Sequence, residues 1–193
     1  MCSLTDPAVE RHRPAGGRGG RDGLPPIGGA DHDGRGDYRG TVAYDTADAR
    51  RELLDEVAHA TDDLGAALAA LGEAYEQLDE ATGDRLEEAL FRPVQLAYGR
   101  AKRTHTEFAA RVGEPARTFV QPAAGHPSQG VRGFVEGAVS AVTRADDRLG
   151  ELQDSMRPVE VGDAELRAGL SEVRRLVGDV PARARELTRV LGR

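Results

Sequence analysis

Tryptophan is absent from this 193-residue chain, and Phe and Tyr supply only four residues each. Sheet interiors draw on aromatic and β-branched side chains, so this shortage argues against a β-rich core. Ala and Leu are plentiful instead, which suits closely packed helices. Cysteine occurs once, at Cys2, which excludes an intramolecular disulfide and a Cys-rich metal site. No apolar run approaches the roughly 20 residues that span a membrane, so integral membrane association is not expected. The opening MCSLTDPAVERHRP has no hydrophobic stretch of the secretory type, and a cytoplasmic address is the expectation.

Lysine occurs once, at Lys102, and every other basic residue is Arg, which we attribute to coding composition rather than function. The formal net charge is −7, opposite in sign to the basic footprint of a dedicated nucleic-acid binder.

Residues 1–43 read as a disordered leader rich in Gly, Arg and Pro, with little to bury. Its GGRGGRDG string is short and carries no interleaved aromatic of the kind that RNA-binding segments use. DHDG lacks the ligand spacing of a calcium loop. Arg35-Gly36-Asp37 is read as a chance tripeptide.

Residues 44–193 read as an all-α domain, an antiparallel up-down four-helix bundle of two αα-hairpins. Apolar positions alternating by three and four place helices at about 46–81, 84–112, 128–157 and 163–191. The first seam runs through Leu53, Val57, Ala60, Leu64, Ala67, Leu71, Ala74, Leu78 and Ala81. Phe91, Val94, Tyr98, Ala101, His105, Phe108 and Val112 form the second. The third passes through Val135, Val142, Leu149 and Met156, and the fourth through Leu166, Val173, Val180 and Leu187. Gly83 should stop the first helix, with Asp84 and Glu87 capping the second. Pro93 should kink or break its helix, whereas the seam stays in phase across Pro181 and favours one kinked helix there. The Pro-rich crossover 113–127 should pass over one end of the bundle, with Phe119 and Val120 plugging it. Small residues at Ala58, Gly65 and Gly72, and at Gly130, Gly133 and Gly137, mark candidate close helix contacts.

Chemistry is sparse. No phosphate-binding loop or Ser or Cys nucleophile motif occurs. Glu56-Val57-Ala58-His59 is a Glu-x-x-His string of the sort that supplies ligands in di-iron carboxylate bundles. Those sites use two such strings, and this chain has one. Antiparallel pairing of the first two helices would bring Tyr98 and His105 towards Glu56 and His59, making these four the candidates for a metal or small-ligand site. Two imidazoles fall short of a usual ligand set, so no metal, cofactor or catalytic residue is assigned. The chain reads as a non-enzymatic interaction or scaffold protein whose partner is a protein, a second copy of itself included.

Most of the net negative charge falls on the first helix. Asp55, Asp62, Asp63, Glu73, Glu76, Asp79 and Glu80 lie outside its seam and form a candidate interaction surface for a basic partner. The acidic start of that helix (Asp48, Glu52, Asp55, Glu56) should also face the basic end of the second (Arg100, Lys102, Arg103, Arg111).

Overall fold

The computed structural model describes residues 38–125, 127–161 and 163–191, and the leader motifs at 16–37 lie outside them. The described residues are helical apart from their connections and contain no strand. Helix α1 spans Tyr38–Glu76, α2 Glu80–Leu86, α3 Arg92–Val112, α4 Gly130–Asp154, α5 Arg157–Glu160, α6 Ala164–Val177 and α7 Val180–Leu191. The first helix thus begins eight residues before the expected start at 46, inside the segment read as leader.

The boundaries follow local chemistry. α1 stops before Gly83, and Asp79 then caps α2 by accepting hydrogen bonds from the Thr82 backbone N–H (3.0 Å) and hydroxyl (2.8 Å). Gly83 and Asp84 therefore lie within α2, and the expected cap at Asp84 is corrected to Asp79. Pro93 neither breaks nor ends the helix. A π turn at Glu87–Phe91 joins α2 to α3, and the Arg92 N–H donates to the Glu87 carbonyl five residues back. Proline has no N–H to offer the carbonyl four residues earlier, and the wider turn accommodates that loss. The turn also absorbs one extra residue in the apolar spacing. Leu86, Leu90 and Val94 are all fully buried at two successive steps of four, and the sequence seam had missed the two leucines.

At the other proline the helix does divide. α6 ends at Val177, and Pro181 occupies the first turn of α7, where its missing N–H costs nothing. The seam nevertheless stays in phase, with Val173, Val177, Val180, Ala184 and Leu187 buried. Asp163 caps α6 through the Leu166 N–H at 2.7 Å, as its sequence position implied. Met156 departs from the third seam: α4 ends at Asp154, and Met156 takes a left-handed conformation (φ 62°) and is 54% exposed.

Side-chain contacts fix the helix directions. Glu52, Glu56 and Asp63 of α1 meet Arg157, Arg148 and Arg144 in reverse order, so α4 runs antiparallel to α1. Gly65 against Tyr98 and Arg51 against Glu114 set α3 antiparallel to α1 as well. α6 opposes both α3, through Arg111–Asp163 and Thr104–Gly169, and α4, through Asp146–Arg174 and Gln153–Ser171. The apolar faces share one core, in which Leu53, Leu64, Phe108, Phe134, Leu149 and Leu170 are among the buried side chains. Its tightest glycine is Gly169, where an added Cβ would strike the Thr104 side chain, 2.6 Å from Cγ2. Gly72 and Gly137 have nothing within 4 Å of such a Cβ, and Gly133 meets only Gln129, so close packing does not explain those three.

α3 and α4 both oppose α1, so consecutive long helices do not alternate up and down as expected, and the connection 113–127 must travel back along the helices. Glu114 bonds Arg51 at 3.2 Å, Arg117 pairs with Asp62 at 2.8 Å, and Pro122 reaches Gly65. The contacted positions of α1 are separated by roughly 21 Å at 1.5 Å per residue. Eight residues from Glu114 to Pro122 cover that distance only when nearly extended. The segment is thus a lengthwise strap over α1 and α3 rather than an end plug. Val120 is 80% exposed, whereas Phe119 is half-buried.

Candidate functional site

The four candidate ligands do not converge. Glu56 faces α4, where its carboxylate lies 3.6 Å from Arg148 and lines a cleft of about 300 Å³ with Arg157 and Leu152. His59 is exposed. Tyr98 is half-buried against Gly65, with the Lys102 ammonium 5.0 Å from its ring centroid. Burial and the nearby Asp62 carboxylate push the Tyr98 phenol above its ordinary pKa. Among the described residues no group of three or more His, Cys, Asp or Glu side chains is placed to hold a metal ion.

His105 is the polar group with the most unusual surroundings. It is 3% exposed, and its Nδ1 has no hydrogen-bond partner. The helical phase of α3 puts it beside Phe108 and Ala109 on the buried side, while the strap covers it from outside. Phe119 stands edge-on to the imidazole, and Arg117 brings a guanidinium nearby. Burial first, then Arg117, hold His105 below the usual histidine range, and Asp55 opposes them weakly. The imidazole is therefore kept neutral at neutral pH, and its Nδ1 is bonded to no hydroxyl, thiol or carboxylate among the described residues. Such an arrangement can sense protons. The sequence singled out His105 but not Arg117 or the ring contact with Phe119, because the strap was expected at the end of the helices.

The acidic surface also divides once the contacts are known. Asp63 accepts from Arg144 (3.0 Å) and Arg148 (3.2 Å), and its side chain is only 15% exposed. Asp62 holds the strap through Arg117, and Asp79 is the α2 cap. Asp55, Glu73, Glu76 and Glu80 remain exposed and make no ion pair or hydrogen bond among the described residues. The expected pairing between the start of α1 and the basic end of α3 is replaced by other partners. Glu52 and Glu56 meet Arg157 and Arg148, while Arg111 meets Asp163 (2.8 Å) and Glu165 (2.9 Å). The reason is rotational: α1 turns these acids towards α4 and α5, and α3 turns Arg111 towards α6. No helix among the described residues is long and apolar enough to cross a membrane. No protein-family model matches the chain, no curated protein is significantly similar to it, and no solved structure matches it.

Proposed function

We propose that this chain is a non-catalytic interaction or scaffold protein, built as an antiparallel four-helix bundle and working in the cytoplasm through its helix surfaces. In this reading α2, the π turn and α3 act as one rod, and α6 with α7 as another. The observation that carries the proposal is the set of exposed carboxylates Asp55, Glu73, Glu76 and Glu80, which the fold leaves without cationic partners. Unpaired charges of one sign on a long helix attract a partner of opposite sign and raise its rate of encounter. A basic protein segment is the expected partner, and a second copy of the chain is the other protein partner considered. Nucleic acid, itself anionic, is not expected at this surface.

The test compares the native chain with a Glu73→Gln, Glu76→Gln, Glu80→Gln variant in capture from native lysate across a salt series. Captured proteins should be lost from the variant, and from the native chain as salt rises. Equal retention by both, without salt dependence, would sink the acidic-surface reading.

A further inference from the structure

A second surface lies where α3 packs on α6 and the π turn packs on α7. Two clefts, of about 380 and 440 Å³, share Leu96, Arg175 and Leu176 and so form one continuous groove. Along the π turn and α3 it extends from Glu88 to Arg103, and along the opposite wall from Glu172 to Arg183. A helical span of fifteen residues corresponds to roughly 22 Å, or about four helical turns. Leu96 is 56% exposed on the floor because it falls outside the buried series Val94, Ala97 and Ala101. Leu176 is half-buried opposite, and a Cβ on Gly99 would meet nothing within 4 Å, so the space between the helices is open.

The charges in the groove are unequal from end to end. Arg92 lies 3.5 Å from Glu87, Arg175 pairs with Glu172 at 2.7 Å, and Arg183 lies 3.5 Å from Asp179. Arg100 and Arg103 have no such partner among the described residues. The Nε of Arg100 is buried without a hydrogen bond, although its charge is close enough to help lower the pKa of Glu172. A guanidinium fork pairs best with a carboxylate. A protein with a net charge of −7 therefore presents, at this one end, two unpaired cations beside an exposed leucine.

We propose that this groove docks an amphipathic helix of a partner protein, with leucine-type side chains seated on Leu96 and Leu176 and carboxylates meeting Arg100 and Arg103. The length suits a helix laid between two others, and the i, i+3 spacing of the arginines lets neighbouring carboxylates on one helix face reach both. Glu88, Glu172 and Asp179 on the same walls disfavour a broad anionic sheet such as a lipid surface, and point to discrete carboxylates. This partner is opposite in charge to the one proposed for the α1 surface, so the two surfaces would let one chain bridge two proteins.

The experiment uses the full chain and a fluorescent synthetic peptide of about four helical turns, with leucines three and four residues apart flanked by glutamates. Its binding is followed by fluorescence anisotropy, beside peptides with Lys replacing Glu or Ser replacing Leu. The Glu/Leu peptide should bind, and each control should bind about tenfold more weakly. Arg100→Glu with Arg103→Glu should weaken the Glu/Leu peptide by about tenfold or more and strengthen the Lys/Leu peptide. Leu96→Ser should weaken the Glu/Leu peptide by about fivefold. Should the double variant melt early by circular dichroism, Arg103→Glu alone reports the same charge effect from an exposed position. Glu73→Gln with Glu76→Gln should leave this binding unchanged, which separates the groove from the α1 surface. No binding at about 100 μM peptide, equal binding of the Lys/Leu control, or indifference to the groove variants would overturn the proposal.

Discussion

The ring of Phe119 meets the imidazole of His105 edge-on, with centroids 5.1 Å apart and planes at 89°. This contact joins the strap to α3 over a histidine that is held neutral. Protonating it would place a buried cation beside Arg117, with only Asp55 to compensate.

The first prediction follows from that charge. The folded pKa of His105 lies below its unfolded value of about 6.5, so between the two values the unfolded chain binds more protons. The stabilising contribution is full above pH 6.5 or so and is lost as pH falls through the folded pKa. Tm should therefore drop between neutral pH and about pH 5 in the native chain, and less steeply in His105→Gln. Burial also works against Asp163, but hydrogen bonds from Arg111 and the Leu166 amide keep its pKa lowered, and its loss falls at more acid pH. Parallel pH profiles for the two proteins would show that His105 is not the titrating group.

Gly169→Ala should cost about 1–3 kcal/mol, although alanine is the better helix former by roughly 1 kcal/mol. The new methyl would collide with Thr104, whose hydroxyl is buried and has no partner. Introduced into Thr104→Ala, the same change should be nearly neutral, and a double-mutant cycle in denaturant measures the difference. An identical cost in both backgrounds would mean that something other than Thr104 sets the α3–α6 spacing.

Met156→Gly should stabilise the chain by up to about 1 kcal/mol. A side chain in the left-handed region is strained, and this one is largely exposed, so little packing is lost. A lower Tm would show that the thioether contributes more than the strain costs.

What the sequence made legible was the periodic part. Spacing alone assigns Leu53, Leu64, Val142, Leu149 and Leu166 to the core, and all are buried. Spacing failed where the helix itself departs from 3.6 residues per turn or ends by local bonding. Leu86 and Leu90 were missed because a π turn shifts the phase, and Met156 was misplaced because α4 stops two residues before it. The α3–α6 contact at Gly169 depends on the rotation of two helices, which one sequence does not reveal. For the candidate site, the heptad put His105 on the inner face correctly. Its cover comes from Phe119, fourteen residues on, and the strap's course follows from helix directions rather than from any residue pattern.

The last prediction separates acids that hold the molecule together from acids that face outward. Asp63 accepts two guanidinium bonds across the α1–α4 contact with little exposure, whereas Glu73 and Glu76 reach solvent unpaired. Asp63→Asn keeps the shape but removes the charge that Arg144 and Arg148 share, and should cost about 1 kcal/mol. Arg148→Ala should cost a similar or smaller amount in the native chain and less in Asp63→Asn, where only its longer contact with Glu56 (3.6 Å) remains to be lost. Glu73→Gln with Glu76→Gln should leave Tm unchanged, yet weaken salt-dependent capture of a basic partner. Both variants remove negative charge from the same helix, so net charge alone predicts similar behaviour for them. Stability lost only at Asp63, and binding lost only at Glu73 and Glu76, would show that one helix divides its acids by direction. Were Asp63→Asn to reduce capture as strongly with no loss of stability, the surface would act through its total charge, and the assignment of Asp63 to the α1–α4 contact would fall.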